Sequence, residues 1–305
     1  MDKFYLEEAV QDLHTIYDFT RWAVSRFNDA GLYFGHGTDN PWDEALSLIL
    51  QVLHLPPGST PELLAARLTK SERQRIADII VRRVQERIPA AYLTNQAWFC
   101  GMPFYVDERV LVPRSPIAEL IEQKFADYLS DEPSHLLDLC TGSGCIAIAM
   151  GQQFPTAQVD AVDISSDALD VADMNIQEYA MGDQVFPIQS DLFNNLAGQQ
   201  YDLIVSNPPY VDEEDMSDLP DEFRHEPELG LAAGNDGLDL VDRMLKEGPQ
   251  YLKAGAWMIV EVGNSLVHMQ SKYPGLELQW IEFARGGHGV FAVQRETLVN
   301  YFKEH

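Results

Sequence analysis

"HLLDLCTGSGCIAIAMGQQF", residues 135–154, reads as a strand, a glycine-bearing turn and a helix. Leu136, Leu137 and Leu139 make a short apolar run around Asp138, and Gly142 and Gly144 end it. The apolar stretch from Cys145 onward then suits a buried helix. Such a strand–turn–helix unit opens a βαβ fold, and the pattern repeats downstream. "QVDAVDI" (158–164) is a strand followed by a helix over "SSDALDVADMNIQEYA" (165–180). "QVFPIQ" (184–189), "YDLIVS" (201–206) and "AWMIVEV" (256–262) are further strands, and "LDLVDRMLKEGPQYL" (238–252) is helical. "LELQWIEF" (276–283) and "GVFAVQR" (289–295), joined across Gly286-Gly287-His288-Gly289, read as a closing antiparallel hairpin. The expectation is an α/β fold with a seven-stranded, mostly parallel sheet in the order 3-2-1-4-5-7-6, helices on both faces.

Upstream the periodicity is helical. "YLEEAVQDLHTIYDFTRWAVSRF" (5–27) places Leu6, Val10, Leu13, Tyr17 and Phe27 near a 3.6-residue repeat and reads as one helix. "PWDEALSLILQVLHL" (41–55) is a second, with Asn40 as cap and Pro41 in its first turn. "STPELLAARL" starts a short third, and Ser71-Glu72-Arg73-Gln74 has the spacing of a capping box opening a fourth. "AWFCGMPFYVDERVLV" (97–112) alternates aromatic and β-branched residues around Gly101 and reads as a β-hairpin. The expected organisation is a helical domain over 1–93, a hairpin linker over 94–112 and a catalytic domain over 113–305.

Ligands of open α/β sheets sit at the carboxyl ends of the strands. At the first such end, Cys140-Thr141-Gly142-Ser143-Gly144 offers a tight turn that a ligand can approach closely, with no Walker lysine and no full G-x-G-x-x-G. Asp163 ends the second strand, where a carboxylate can accept from both ribose hydroxyls of a nucleoside. Asp191, past the third, could accept from an adenine amine or serve as a helix cap. A nucleoside pocket without a phosphate grip suits S-adenosylmethionine (AdoMet) better than NAD or ATP.

The fourth strand ends in Asn207-Pro208-Pro209-Tyr210. Two prolines fix φ and remove two backbone donors, so the turn presents acceptors. The Asn207 side-chain oxygen and the Pro208 carbonyl could hold one –NH2 group, with the Tyr210 ring against a planar π system. That grip fits an amide or an aromatic amine, whose delocalised lone pair makes it a poor nucleophile. Two acceptors can aim the lone pair and stabilise the positive charge that develops on nitrogen.

With these motifs, "AVDIS", "SDLF", "HEPELGL", "GNDGLD" and "FYVDERVLVPRSP", the chain resembles the HemK/PrmB family of protein-glutamine N5-methyltransferases along essentially its whole length. The resemblance implies a class I AdoMet-dependent methyltransferase fold, with AdoMet at Cys140–Gly144, Asp163 and Asp191-Leu192, Asn207 beside it, and S-adenosylhomocysteine as product. It implies a substrate glutamine amide at Asn207, Pro208, Pro209 and Tyr210, and a helical domain that recognises the protein substrate. One branch of the family modifies peptide-chain release factors and carries "PRPETE" where this chain has Pro113-Arg114-Ser115-Pro116-Ile117. "YFGHGTDNPWDEA" (33–45) resembles the other branch, which methylates large-subunit ribosomal protein three, a basic partner met before or during ribosome assembly.

Charge agrees with a basic partner. The 305 residues carry a net charge of -27, almost all of it after residue 100. Residues 101–305 hold 35 acidic and 11 basic side chains. That field repels nucleic-acid phosphates and attracts basic proteins. Residues 212–228, "DEEDMSDLPDEFRHEPE", place nine acids and one arginine just past the Asn-Pro-Pro-Tyr turn. They read as a solvated loop or an acidic lip that steers such a partner. An N6-adenine methyltransferase shares the –NH2 chemistry but should bring a basic groove. A non-catalytic ribosome-assembly binder would keep the fold and lose AdoMet binding. Cys100, Cys140 and Cys145 have no metal-type spacing and suit a reducing cytoplasm. No metal site is expected, and His225 and His288 read as surface or turn residues. Cys140 and Cys145 read as packing residues, while Phe104 and Arg114 are read either as ligand contacts or as packing. No basic-then-apolar leader opens the chain, and no apolar run approaches the ~18–20 residues of a membrane span.

Overall fold

A computed structural model describes residues 3–304. They form two compact units. One holds the chain up to Ala97 together with Pro220–His225; the other holds Trp98–Leu219 and the chain from Glu226 onward. The region expected to be a linker thus lies largely in the second unit, and six residues of the acidic stretch belong to the first.

The first unit is helical: Lys3–Asp12, Ile16–Asp29, Pro41–Val52, Pro61–Leu64, Lys70–Glu86 and Ala90–Thr94. The single helix expected over 5–27 is two. Thr15 caps the second one, accepting from the Asp18 N–H while Asp18 accepts from the Thr15 N–H, and this box breaks the run. Leu13 and Tyr17 keep the 3.6-residue spacing across the break, which is why periodicity alone does not see it. Asn40 caps Pro41–Val52 as expected. The capping box of the Lys70–Glu86 helix is Thr69 with Glu72, rather than the expected box beginning at Ser71. Phe19, Phe27, Leu48, Ile49, Ile76 and Ile80 fill the core. Arg83 is fully buried there, held by Glu44 at 2.7 Å and Glu222 at 3.6 Å. Arg87 also reaches Glu222, at 3.0 Å. A buried pair of this kind needs every partner, because removing one leaves a charge out of water.

The second unit opens with strands β1 (Ala97–Phe99) and β2 (Met102–Phe104), a two-stranded sheet. Cys100 and Gly101 turn between them with φ of +48° and +73°, the signs a two-residue type I′ turn requires. The main sheet comprises β3 (His135–Leu139), β4 (Gln158–Asp163), β5 (Val185–Gln189), β6 (Tyr201–Ser206), β7 (Leu252–Glu261), β8 (Gln279–Trp280) and β9 (Val290–Gln294). Its order is β5-β4-β3-β6-β7-β9-β8, with β9 antiparallel to both neighbours. Counted within the sheet, this is the expected 3-2-1-4-5-7-6 order.

Successive residues of β3 point to opposite faces. Leu136 joins Val159, Leu203 and the helices Ile117–Glu122 and Cys145–Gln153 in one core. Leu137 and Leu139 join Ile204, Val260 and the helix Asp239–Glu247 in the other. A further helix, Arg295–Glu304, follows β9 without a break, where the sequence reading ended on a strand. No described helix is long and apolar enough to cross a membrane.

Candidate functional site

Strands β3, β4, β5 and β6 run parallel, so their carboxyl ends share one edge. From β3 the chain builds outward through β4 and β5, then returns to place β6 on the other side of β3. The crevice at that reversal is where such sheets take ligands. Leu139 pairs with Val162 and Ser206, and Asp163 pairs with Gln189. The register therefore sets the Cys140 turn, Asp163, Asp191 and Asn207 along one edge.

The Cys140–Gly144 turn is built from left-handed residues: φ is +60° at Cys140, +54° at Gly142 and +78° at Gly144. A Cβ on Gly144 would press on Ala172, but one on Gly142 would meet nothing within 4 Å. Gly142 thus borders open space that a ligand could fill. The turn hangs on two carboxylates. Asp138, fully buried, accepts from the Thr141 hydroxyl at 2.6 Å and from Ala147 N–H at 3.1 Å, the first turn of the following helix. Asp163 accepts from Gly142 N–H at 2.9 Å and Ser165 N–H at 3.0 Å, one on each oxygen. A carboxylate has about four acceptor sites, so two remain for the hydroxyls of a ribose. Ser143 is fixed from behind by Asn175, which donates to its carbonyl at 2.9 Å. Asn175 also donates to the Tyr105 carbonyl and accepts from the Tyr105 N–H, tying the segment after β2 to this turn.

Asp191 and Leu192 follow β5, with Leu192 at φ +49° and buried. Asp191 Oδ1 is taken by Arg243 at 2.6 Å, so an amine could reach only its remaining acceptor sites. Sequence reasoning missed Arg243, Asn175 and Ile164. The last is an apolar side chain half exposed beside Asp163, the kind of surface on which a purine face can lie. An isoleucine left in solvent directly after a strand-end acid is the signal that could have found it.

Past β6, Pro208 and Pro209 are buried and Asn207 is half-buried. The Asn207 Oδ1 is shielded from water and meets no donor among the described residues. Tyr210 is anchored at both ends. Its hydroxyl donates to Glu261 Oε1 at 3.1 Å, and its carbonyl accepts from the Ser265 hydroxyl at 2.8 Å. Its ring lies over Gly263, where a Cβ would sit 2.5 Å from Cε2. Glu261 also accepts from the Ser115 hydroxyl at 2.6 Å. Nothing in "VEVG" marks that carboxylate, since both its partners lie far away in sequence.

Phe104 is buried against Tyr179 with ring centroids 5.5 Å apart. Arg114 grips Glu226 with two bonds, at 2.6 and 2.8 Å. Of the nine acids expected in a lip, Glu222 and Glu226 are therefore spent on buried arginine pairs. Asp212 caps a helix, Glu213–Asp218, that begins directly after the turn and leaves Glu213, Glu214 and Asp218 exposed. Burial pushes the Cys100 and Cys145 thiols up to about 12 and Cys140 further still, which disfavours the thiolate at all three. His288 meets Asn264 at 3.1 Å, and His225 meets the Glu86 carbonyl.

Burial raises both Asp138 and Glu261 to about 7. An unfolded chain releases these protons near pH 4, so the folded chain binds more protons between about pH 4 and 7. Their contribution to stability is whole below that window and is lost as pH rises through 7. The denaturation midpoint should therefore fall between pH 5.5 and pH 8. Glu261→Gln should flatten that slope, as read from denaturant curves at both pH values; an unchanged slope would show that Glu261 ionises as freely folded as unfolded.

Comparison with known proteins identifies the family. The family described as Methyltransferase small domain matches residues 121–226. The catalytic domain of hMettl16, solved with an RNA hairpin, superposes with a TM-score of 0.51 at 16% identity over 72% of this chain and 80% of that one. At that identity the likeness concerns the fold. The ribosomal protein uL3 glutamine methyltransferase of Xanthomonas campestris pv. campestris is 52% identical over 95% of this chain and 94% of its own length. That of Bordetella pertussis is 49% identical over 94% of this chain and 97% of its own. Identity of about half, sustained through the helical unit as well as the sheet, means that the chain belongs to the family of ribosomal protein uL3 glutamine methyltransferases.

Proposed function

We propose that this chain transfers a methyl group from AdoMet to the side-chain amide nitrogen of a glutamine in large-subunit ribosomal protein uL3. The observation that carries the site assignment is Asn207 Oδ1, an amide oxygen withdrawn from water with no donor of its own. Leaving such an acceptor unpaired costs about 1–3 kcal/mol, a cost that a substrate –NH2 would remove. AdoMet, when bound, supplies a methyl carbon made electrophilic by its sulfonium. Gly142 leaves room for it, Asp163 keeps acceptor sites for its ribose, and the half-exposed Ile164 offers apolar surface to its base.

Asn207 Oδ1 and the Pro208 carbonyl accept the two amide hydrogens of the substrate glutamine. They turn its lone pair toward the methyl and stabilise the positive charge that would appear on nitrogen as the N–C bond forms and the sulfonium S–C bond breaks, the pair of electrons leaving with the thioether S-adenosylhomocysteine. The methylated nitrogen then becomes strongly acidic and releases one proton to water. No strong base has to act, and the rest of the catalysis is alignment. The exposed Glu213, Glu214 and Asp218 carry negative charge directly past the turn, which favours a basic protein over a nucleic acid. A reducing cytoplasm fits the three free thiols.

The test offers labelled AdoMet with unmodified uL3, an unmodified release factor or adenine-containing nucleic acid, and locates the label by mass spectrometry. Methyl on a uL3 glutamine is expected. Methyl on the release factor alone would overturn the substrate, and methyl on nucleic acid alone would overturn the substrate class.

A further inference from the structure

The Asn207–Tyr210 turn has few backbone bonds of its own, because two of its four residues lack an N–H, although Ser206 before it and Val211 after it are held by backbone pairing. Its polar handles are the two ends of Tyr210, and both are gripped from one place, the end of β7 and the turn that follows. Ser265 holds the carbonyl, Gly263 lies under the ring, and Glu261 holds the hydroxyl. Glu261 is nearly inaccessible to water, and its other oxygen is bound to Ser115, whose hydroxyl oxygen also accepts from the Ile117 N–H.

We propose that Glu261 is a positioning residue for methyl transfer: through the Tyr210 hydroxyl it fixes the turn that presents Asn207 Oδ1 and the Pro208 carbonyl to the substrate amide. The inference rests on the glutamine-methyltransferase reading. A buried carboxylate is an unfavourable way to build a core, and burial has already pushed this one up to about 7. What it offers over an apolar residue is two acceptor oxygens, and both are used on hydroxyls from separate segments, one of them the reactive turn. Without it the Tyr210 hydroxyl loses its side-chain partner, and the acceptors of the turn can drift. Misplacement by about 1 Å costs about a hundredfold in rate.

Glu261→Ala should lower kcat on uL3 about a hundredfold, with KM and the AdoMet Kd within about twofold of wild type. Glu261→Gln keeps an acceptor oxygen at the site and should recover turnover to within about tenfold. Tyr210→Phe removes only the hydroxyl and should lower kcat about tenfold. Glu261→Ala with Tyr210→Phe should be no slower than Glu261→Ala alone, because Glu261→Ala already removes the bond that Tyr210→Phe breaks. Fully multiplying losses, or equal loss of AdoMet affinity and kcat, would overturn the proposal in favour of general damage to the fold. If Glu261→Ala does not fold, Tyr210→Phe decides: wild-type kcat there would mean that the tether is idle. A wild-type enzyme that methylates no uL3 glutamine would instead sink the functional reading itself.

Discussion

Asn207→Ala is expected to lower kcat on uL3 about a thousandfold while leaving the AdoMet Kd within about twofold of wild type. In the proposed site the side chain is one of two acceptors for the substrate amide, and its oxygen makes no bond within the described protein that the substitution could break. Its removal therefore costs little in folding. The loss falls on the step in which charge appears on nitrogen, where a fixed dipole is worth most. The Cys140–Gly144 turn, hung on Asp138 and Asp163 and proposed to hold AdoMet, does not use Asn207 for any of its described bonds. Single-turnover rates with labelled cofactor, set beside equilibrium AdoMet binding, measure both quantities. Parallel loss would mean that Asn207 belongs to the cofactor's site and not to the substrate's.

The second large effect is expected from Gly237→Ala. Gly237 sits at φ +71°, and an added Cβ would collide with the Ser265 hydroxyl and with the Tyr210 carbonyl, the two partners of one bond. Left-handed strain costs about 1–2 kcal/mol and overpacking about 1–3 more, so a loss near 4 kcal/mol follows. For a chain of this size that lowers the thermal midpoint by roughly ten degrees. Gly142→Ala is the control. It carries similar backbone strain but meets nothing within 4 Å, so it should leave the midpoint within a few degrees and weaken AdoMet binding instead. A thermal melt of both variants separates the buttress of the reactive turn from the open edge of the cofactor's space.

Much of the sheet was legible because its punctuation is local. Gly142 and Gly144, Asp163 and the two prolines each mark a strand end within a few residues of the strand itself, and the expected order rested on reading the last two strands as an antiparallel hairpin. The turn at Asn207 was legible as a strand end for the same reason. What escaped depends on partners remote in sequence. Glu222 and Glu226 look like any acids of a charged run until Arg83, Arg87 and Arg114 arrive from more than a hundred residues away. Glu261 is hidden in a strand, with its bonds to Ser115 and Tyr210 made across the fold. Arg295–Glu304 escaped for the opposite reason. It continues β9 with neither glycine nor proline between them, so no punctuation announces the change of period.

Pro220–His225 gives the helical unit an order of assembly in time. That unit is complete only when Glu222 reaches Arg83 and Arg87, yet roughly 120 residues separate Ala97 from Pro220. At ~5–20 residues per second, a ribosome making this chain exposes the first six helices on the order of ten seconds before their last piece emerges. Throughout that interval Glu44 and Tyr33, two of the partners that Arg83 has in the finished fold, have been made, but Glu222 has not. The amino-terminal helices must therefore wait, partly closed, for a segment encoded beyond the reactive turn. By the time the segment arrives, Asn207 and Tyr210 have already been synthesised.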